Sequence, residues 1–218
     1  MKTIEKREGL VLEDVRLAVE GRLLVDLSLT IGPGEIVTIL APSGAGKSSL
    51  LAAIAGTLAP AFQLSGRMTL DGRRIDGLPP EARRVGILFQ DDLLFPHLSV
   101  GGNLAFGLPA GFSHRAVRQK RVEDALATAG LAGMSRRDPA TLSGGQRARV
   151  SMMRLILSEP QALLLDEPFS RLDTALREQF RAFVFSAARA ENLPVLLVTH
   201  DEADAKATGG RIVPLRSG

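Results

Sequence analysis

Three short runs in this chain are apolar in a continuous rather than an alternating way: Ile36 to Leu40, Ala162 to Leu165 and Val195 to Val198. Runs of this length and character suit strands covered on both faces, so they predict a mostly parallel sheet flanked by helices. Each run ends in polar residues. The first leads into Pro42-Ser43-Gly44-Ala45-Gly46-Lys47-Ser48, the second into Asp166-Glu167 and the third into Thr199-His200. Ligands of open α/β sheets bind beyond the carboxyl ends of the strands. Three strand ends therefore deliver chemistry to one edge.

Size and composition narrow the options. A chain of 218 residues is one domain with room for an inserted subdomain, and it buries roughly 70% of its unfolded surface without staples. It contains no cysteine, so no disulfide framework exists. The net charge of +3 is small, and a solvated surface accounts for it better than a nucleic-acid partner does. With no tyrosine or tryptophan, only phenylalanine could stack on single strands. The mixed-charge segment Met1 to Glu8 lacks the apolar stretch of a signal peptide. No run approaches the ~20 apolar residues that span a bilayer. The reading is a soluble protein whose membrane work, if any, passes through another chain.

Around the parallel runs, Val11 to Ile31 partly alternates about a Glu20-Gly21 turn, and Met68 to Ile75 carries the hairpin signal Asp71-Gly72. These predict a small antiparallel sheet. Val85 to Phe89 reads as a further strand. From about Asp92 to Leu157 the pattern turns helical, with Arg115 to Ala129 stopped by Gly130 and Gln146 to Leu157 showing Val150, Met153 and Leu157 on one face. Asp201 to Ala207 reads as a helix and Arg211 to Leu215 as a last strand.

Gly44 and Gly46 let the backbone approach phosphate closely and aim N–H groups at it. A helix from about Lys47 to Ala55, stopped by Gly56, adds the partial positive charge of its N-terminus. Lys47 then reaches the β- and γ-phosphates of a nucleotide, and the Ser48 hydroxyl ligates Mg²⁺. Ala41 stands where the strict pattern asks for glycine, a small change at the strand's end. Asp166 falls where the second Mg²⁺ partner belongs, and Glu167 can polarise an attacking water. Glu167 also reads as a helix N-terminal acid, with Pro168 in the first turn. Gln90 suits a sensor touching metal shell and water, and His200 a contact to the γ-phosphate. His97 and His114 lack such context. Leu142-Ser143-Gly144-Gly145-Gln146 is a second glycine-rich anion motif. One nucleotide needs one cradle, so the pair predicts two copies of the chain closing over shared nucleotides.

With these residues assembled, the chain resembles the ATP-binding subunits of ABC transporters along nearly its whole length, and among them small thiamine-type bacterial importer ATPases. Ala41 to Ser48 matches the first nucleotide motif, Gln90 the glutamine loop, Leu142 to Gln146 the signature, Leu163 to Glu167 the second nucleotide motif, Ser170 to Asp173 the aspartate loop and His200 the switch histidine. Gly86 to Gln90 and Leu94 to Val100 are the importer-like stretches. The resemblance implies one ATP-binding domain over 1–218. Its core is a phosphate-loop, RecA-like α/β sheet with an antiparallel β-subdomain (about 1–91 and 158–218), and its helical insertion covers about 92–157. It implies ATP and Mg²⁺ as cofactors, with Ser48, Gln90 and Asp166 at the metal. Ala41 to Ser49, Gln90, Ser143 to Gln146, Asp166, Asp173 and His200 line the nucleotide, and Lys47, Gln90, Glu167 and His200 carry catalysis. It implies a head-to-tail homodimer in which Ser143 and Gly145 of one copy bind the γ-phosphate held by Lys47 of the other. It further implies an integral-membrane permease, through it an extracytoplasmic substrate-binding protein, and a cytoplasmic site on the membrane's inner face. Leu93 to Pro96 read as local core or as a groove for a permease helix. A regulatory domain after His200 is not expected.

Two departures stand out. The family it resembles often stacks an aromatic on adenine well before the phosphate loop, where this chain has Ala18-Val19-Glu20. Weaker adenine discrimination is expected, with Val25 offering aliphatic contact. Arg171 replaces a small residue in the aspartate loop and is expected to face solvent. Two rivals remain: an ABC-type ATPase acting on ribosomes or DNA, and a regulatory module that binds nucleotide without turnover. Intact Lys47, Asp166, Glu167 and His200 oppose the second.

Overall fold

The computed structural model describes residues 8–111 and 114–215, so the reading of the N-terminal segment falls almost wholly outside it. The chain divides into two compact units. The first comprises residues 1–87, 161–167 and 188–218, the second 88–160 and 168–187.

The first unit contains both sheets. β1 (Leu10–Val19) and β2 (Arg22–Ile31) form a long antiparallel hairpin about Glu20-Gly21. β4 (Phe62–Leu70) pairs antiparallel with the other side of β1, and short β5 (Arg73–Arg74) follows through Asp71-Gly72. Both turn residues have positive φ, 49° and 75°, as the tight hairpin requires. The parallel sheet runs β6-β7-β8-β3-β9, with β3 (Ile36–Leu40), β6 (Val85–Leu88), β7 (Ala162–Asp166), β8 (Val195–Thr199) and β9 (Arg211–Pro214). The three apolar runs of the sequence are its centre. One apolar cluster joins the sheets, from Leu10, Leu17 and Val25 to Leu164, Leu196 and Val198.

Register decides what these strands present. Leu40 lies beside Thr199, and Asp166 beside Val198. Backbone bonds extend the alignment one residue further: Ala41 N donates to Thr199 O at 3.2 Å and Glu167 N to Val198 O at 3.1 Å. α1 (Lys47–Ala55) starts at Gly46 and ends at Gly56, both left-handed. α7 (Glu202–Ala207) is capped by Asp201, which accepts from Ala203 N at 2.7 Å.

In the second unit, α3 (Val100–Gly107), α4 (Arg115–Thr128) and α5 (Gly144–Leu157) enclose a core of Val100, Leu104, Leu126, Val150 and Met153. α2 (Pro80–Arg83) is a single turn of the first unit. α6 (Thr174–Ala190) carries Phe180 and Phe185 against Phe169 in edge-to-face contacts. Buried Asn103 shapes the segment before α3, accepting from Phe95 N at 2.8 Å and donating to Phe95 O at 3.1 Å.

Candidate nucleotide site

The cradle follows from its glycines. Gly44 and Gly46 have φ of 81° and 84°, which side chains with a Cβ rarely adopt. Pro42, Ser43 and Gly44 are exposed, Ala45, Gly46 and Ser49 half-buried, and Ala41 buried at the strand's end. Lys47 is the exception for a lysine, with only 5% of its surface exposed. Its Nζ donates to Ala41 O at 2.8 Å and Pro42 O at 3.0 Å, and lies 3.1 Å from Glu167 Oε1. The ammonium is thus threaded through the loop it serves.

Glu167 closes the set. Its second oxygen, Oε2, is 3.0 Å from His200 Nδ1. Burial works to raise the Glu167 pKa, but hydrogen bonds from His200 and Lys47, with their charges, hold it below the usual glutamate range. Asp166 goes the other way: burial and the neighbouring Glu167 charge push it up, against the Ser48 hydrogen bond and the Lys47 charge. Ser48 Oγ donates to Asp166 Oδ1 at 3.2 Å. Two hard oxygen donors from two elements therefore meet beside the cradle. No group of three or more acidic, histidine or cysteine side chains that could hold a metal occurs among the described residues. A donor set this small fits Mg²⁺, which keeps waters and takes substrate phosphate oxygens beside one or two protein ligands.

Two expectations need correction. Glu167 is not at a helix N-terminus, because α6 begins only at Thr174. It occupies the left-handed region instead, with φ of 45°. Val25 offers no surface to a base: it is fully buried, and a Cβ on Gly46 would lie 3.2 Å from its Cγ2. Arg171 faces solvent as expected, with 60% of its side chain exposed, and its Nη1 pairs there with Asp91.

The remaining site residues lie in the second unit. Gln90 is exposed just after β6. Its neighbours Asp91 and Asp92 pair with Arg171 and Arg147, the latter at 3.2 Å. The signature opens α5 rather than preceding it. Ser143 is the N-cap, its Oγ accepting from Gln146 N at 3.3 Å, while Gln146 Oε1 accepts from Ser143 N at 3.0 Å. This capping box leaves Gly144 half-buried and Gly145 buried at the helix start. Asp173 is exposed and accepts from Leu176 N at 3.0 Å, capping α6. Of the other histidines, His97 packs near Phe95 with ring centroids 5.9 Å apart, and His114 precedes α4 without a side-chain cap.

Sequence reasoning missed Arg83. It is buried, and its guanidinium donates to Ala53 O, Ile54 O, Leu78 O and Asp76 O at 2.7 to 3.0 Å. It ties down the carboxyl end of the helix that begins with Lys47.

Comparison with known proteins bears on this site. A model of the ABC transporter family matches residues 24–170. The uncharacterized ABC transporter ATP-binding protein YnjD of Escherichia coli K12 is 53% identical over 188 residues, covering 86% of each chain. The Fe(3+) ions import ATP-binding protein FbpC 1 of Rhizobium meliloti is 42% identical over 193 residues, covering 88% of this chain and 54% of that protein. FbpC of Streptomyces coelicolor is 43% identical over 210 residues, covering 96% of this chain and 60% of that protein. The chain spans little more than half the length of these ferric relatives.

Proposed function

This chain belongs to the ABC transporter family, as one of its ATP-hydrolysing subunits, and from that premise we propose that it powers import through a separate integral-membrane permease as a head-to-tail homodimer. The observation that carries this reading is the convergence of Lys47, Glu167 and His200, with Ser48 and Asp166, at the carboxyl ends of three adjacent strands. Residues 92–157 are taken as the helical insertion in an ATP-binding core of 1–91 and 158–218.

The chemistry is positioning and charge stabilisation more than covalent work. Lys47 and the amides of Ser43 to Ser49 hold the β- and γ-phosphates. Ser48, Asp166 and Gln90 hold Mg²⁺, which when bound neutralises charge on the phosphate oxygens. Glu167, ionised and aimed by His200, polarises the attacking water. With Nδ1 engaged by Glu167, Nε2 is the ring nitrogen that meets the γ-phosphate. Because Lys47 already satisfies its three protons, an arriving phosphate must displace one partner. Glu167 is the partner that gives way and turns toward water. Ser143, Gly145 and Asp173 complete the site from the opposite copy. Binding closes the dimer, and hydrolysis lets it reopen.

Import is supported by the Fe(3+) import names of the relatives. No described helix is long and apolar enough to cross a membrane, so a cytoplasmic position on the inner face fits. The surface offered to the permease is the apolar patch of the helical unit. Leu93 is 57% and Phe106 67% exposed, and Phe106 lies 4.6 Å from the Phe95 ring. Leu94 packs inward instead. Cargo is chosen by the permease and its substrate-binding protein.

The test is phosphate release from Mg·ATP by the purified chain, alone and with a membrane permease that co-purifies with it. Turnover that disappears in Lys47→Ala supports the reading. Absence of turnover under both conditions overturns it. Phe106→Asp should keep turnover of the free chain and lose permease-stimulated turnover. Unchanged stimulation would remove the patch from the interface.

A further inference from the structure

A nucleotide held at Lys47 needs a surface for its base, and the fold leaves few choices. The first unit contains a single phenylalanine in its sequence, Phe62, and the chain has neither tyrosine nor tryptophan. Phe62 is the first residue of β4, in direct register with Val19, the last residue of β1. Directly opposed residues of an antiparallel pair present their side chains on the same face, about 5 Å apart.

That face can be traced back to the cradle. Gly46 lies against Val25 and Leu24 of β2, close enough that a Cβ would meet them at 3.2 and 3.3 Å. Val25 is in register with Leu17 of β1, and a bulge follows, with Ala18 pairing with Leu23. Leu17 and Val19 share a face two residues apart, about 7 Å along the strand. From the cradle glycine the path therefore runs Val25, Leu17, Val19, Phe62. Its burial falls in the same order, from fully buried Val25 and Leu17 to half-buried Val19 and Phe62. Opposite Leu17, Leu64 of β4 is 36% exposed and extends the apolar margin. The half-buried end of this path carries the unit's one phenyl ring, packed on one side against the apolar cluster that joins the sheets.

We infer that Phe62, backed by Val19, is the platform on which the nucleotide base stacks. This rests on the nucleotide reading of the cradle. Stacking on a phenyl ring reads the face of a base and not its edge. Val19, Phe62 and Leu64 bring no side-chain hydrogen-bonding group to this surface. The platform therefore accepts adenine and guanine alike, and the selectivity between ATP and GTP is low.

The test uses the whole chain and follows phosphate release. Phe62→Ala should raise KM for ATP by about 5- to 150-fold, the worth of one base stack, with kcat within about twofold. KM for GTP should rise by a similar factor. Phe62→Trp should restore KM, and in a chain without other tryptophan its emission should change on titration with ATP or GTP. Phe62→Leu, which keeps the apolar volume and removes the π-face, should fall between and guards against a folding defect in the alanine variant. The inference is overturned if KM is unchanged in Phe62→Leu and Phe62→Ala, or if Phe62→Trp emission ignores nucleotide. A loss confined to Val19→Ala, or a wild-type kcat/KM favouring ATP more than about a hundredfold, also overturns it. Wild-type turnover with an indifferent Phe62 would sink this inference alone, whereas an inactive wild type would sink the ATPase reading.

Discussion

Glu167 concentrates the local physics of the site. Its backbone is left-handed at φ of 45°, a conformation that costs a non-glycine residue about 1–2 kcal/mol. Its carboxylate is held by Lys47 on one oxygen and His200 on the other. The strain is offset by this pairing, and the same pairing occupies the lysine that phosphate must claim. Replacing Glu167 by Gln should therefore separate two effects. Removing the base should lower turnover by about 10²- to 10⁴-fold. Removing the competing charge at Lys47 should leave ATP affinity equal or tighter. Single-turnover phosphate release and equilibrium nucleotide binding measure the two. Wild-type turnover in the variant would refute the role of base. The place of these residues at one edge was legible because each followed a buried run. The Arg171 pairing was not, since its partner Asp91 is 80 residues away in sequence and no local pattern links them.

At the scale of elements, legibility tracked how strongly one face is buried. β3, β7 and β8 are continuous apolar runs and were read nearly to the residue. α1 was read in full, because Gly46 and Gly56 punctuate it. β4 was read only from Met68 onward, yet it begins at Phe62. Gln63, Ser65, Gly66 and Arg67 are exposed, so that stretch has no alternation to betray a strand, and its pairing with β1 alone defines it. α5 starts two residues before the reading placed it, because the glycines of the signature form its first turn. Arg83 was invisible for a different reason: an arginine in a charged stretch reads as surface. Its four carbonyl partners make it the anchor of α1. Arg83→Met should leave the buried Ala53 and Ile54 carbonyls without its guanidinium and cost about 3 kcal/mol or more, near 6–12 °C in melting temperature for a chain of this size. Lysine should not rescue it, because an ammonium lacks the planar fork that reaches four acceptors. Thermal unfolding of both variants decides the matter. Retention of wild-type stability by Arg83→Lys would show that charge alone suffices.

At the scale of the whole molecule, the residues proposed to contact nucleotide are divided between the two units. Lys47, Ser48, Asp166, Glu167 and His200 belong to the first, and Ser143, Gly145 and Asp173 to the second. If each site joins the first unit of one copy to the second unit of another, lesions on the two units can complement each other. Consider Lys47→Ala in one chain and Ser143→Arg in the other. Each homodimer has two damaged sites. In the mixed dimer one site collects both lesions, and the other pairs an intact Lys47 with an intact Ser143. Under random pairing at most about a quarter of all sites in the mixture are whole, given a two-fold dimer. Mixing the two inactive variants should therefore restore phosphate release toward that ceiling. Were each chain to complete its own site, every site would keep its lesion and mixing would restore nothing. The experiment requires neither permease nor cargo, so it isolates the subunit arrangement from the transport it is proposed to drive.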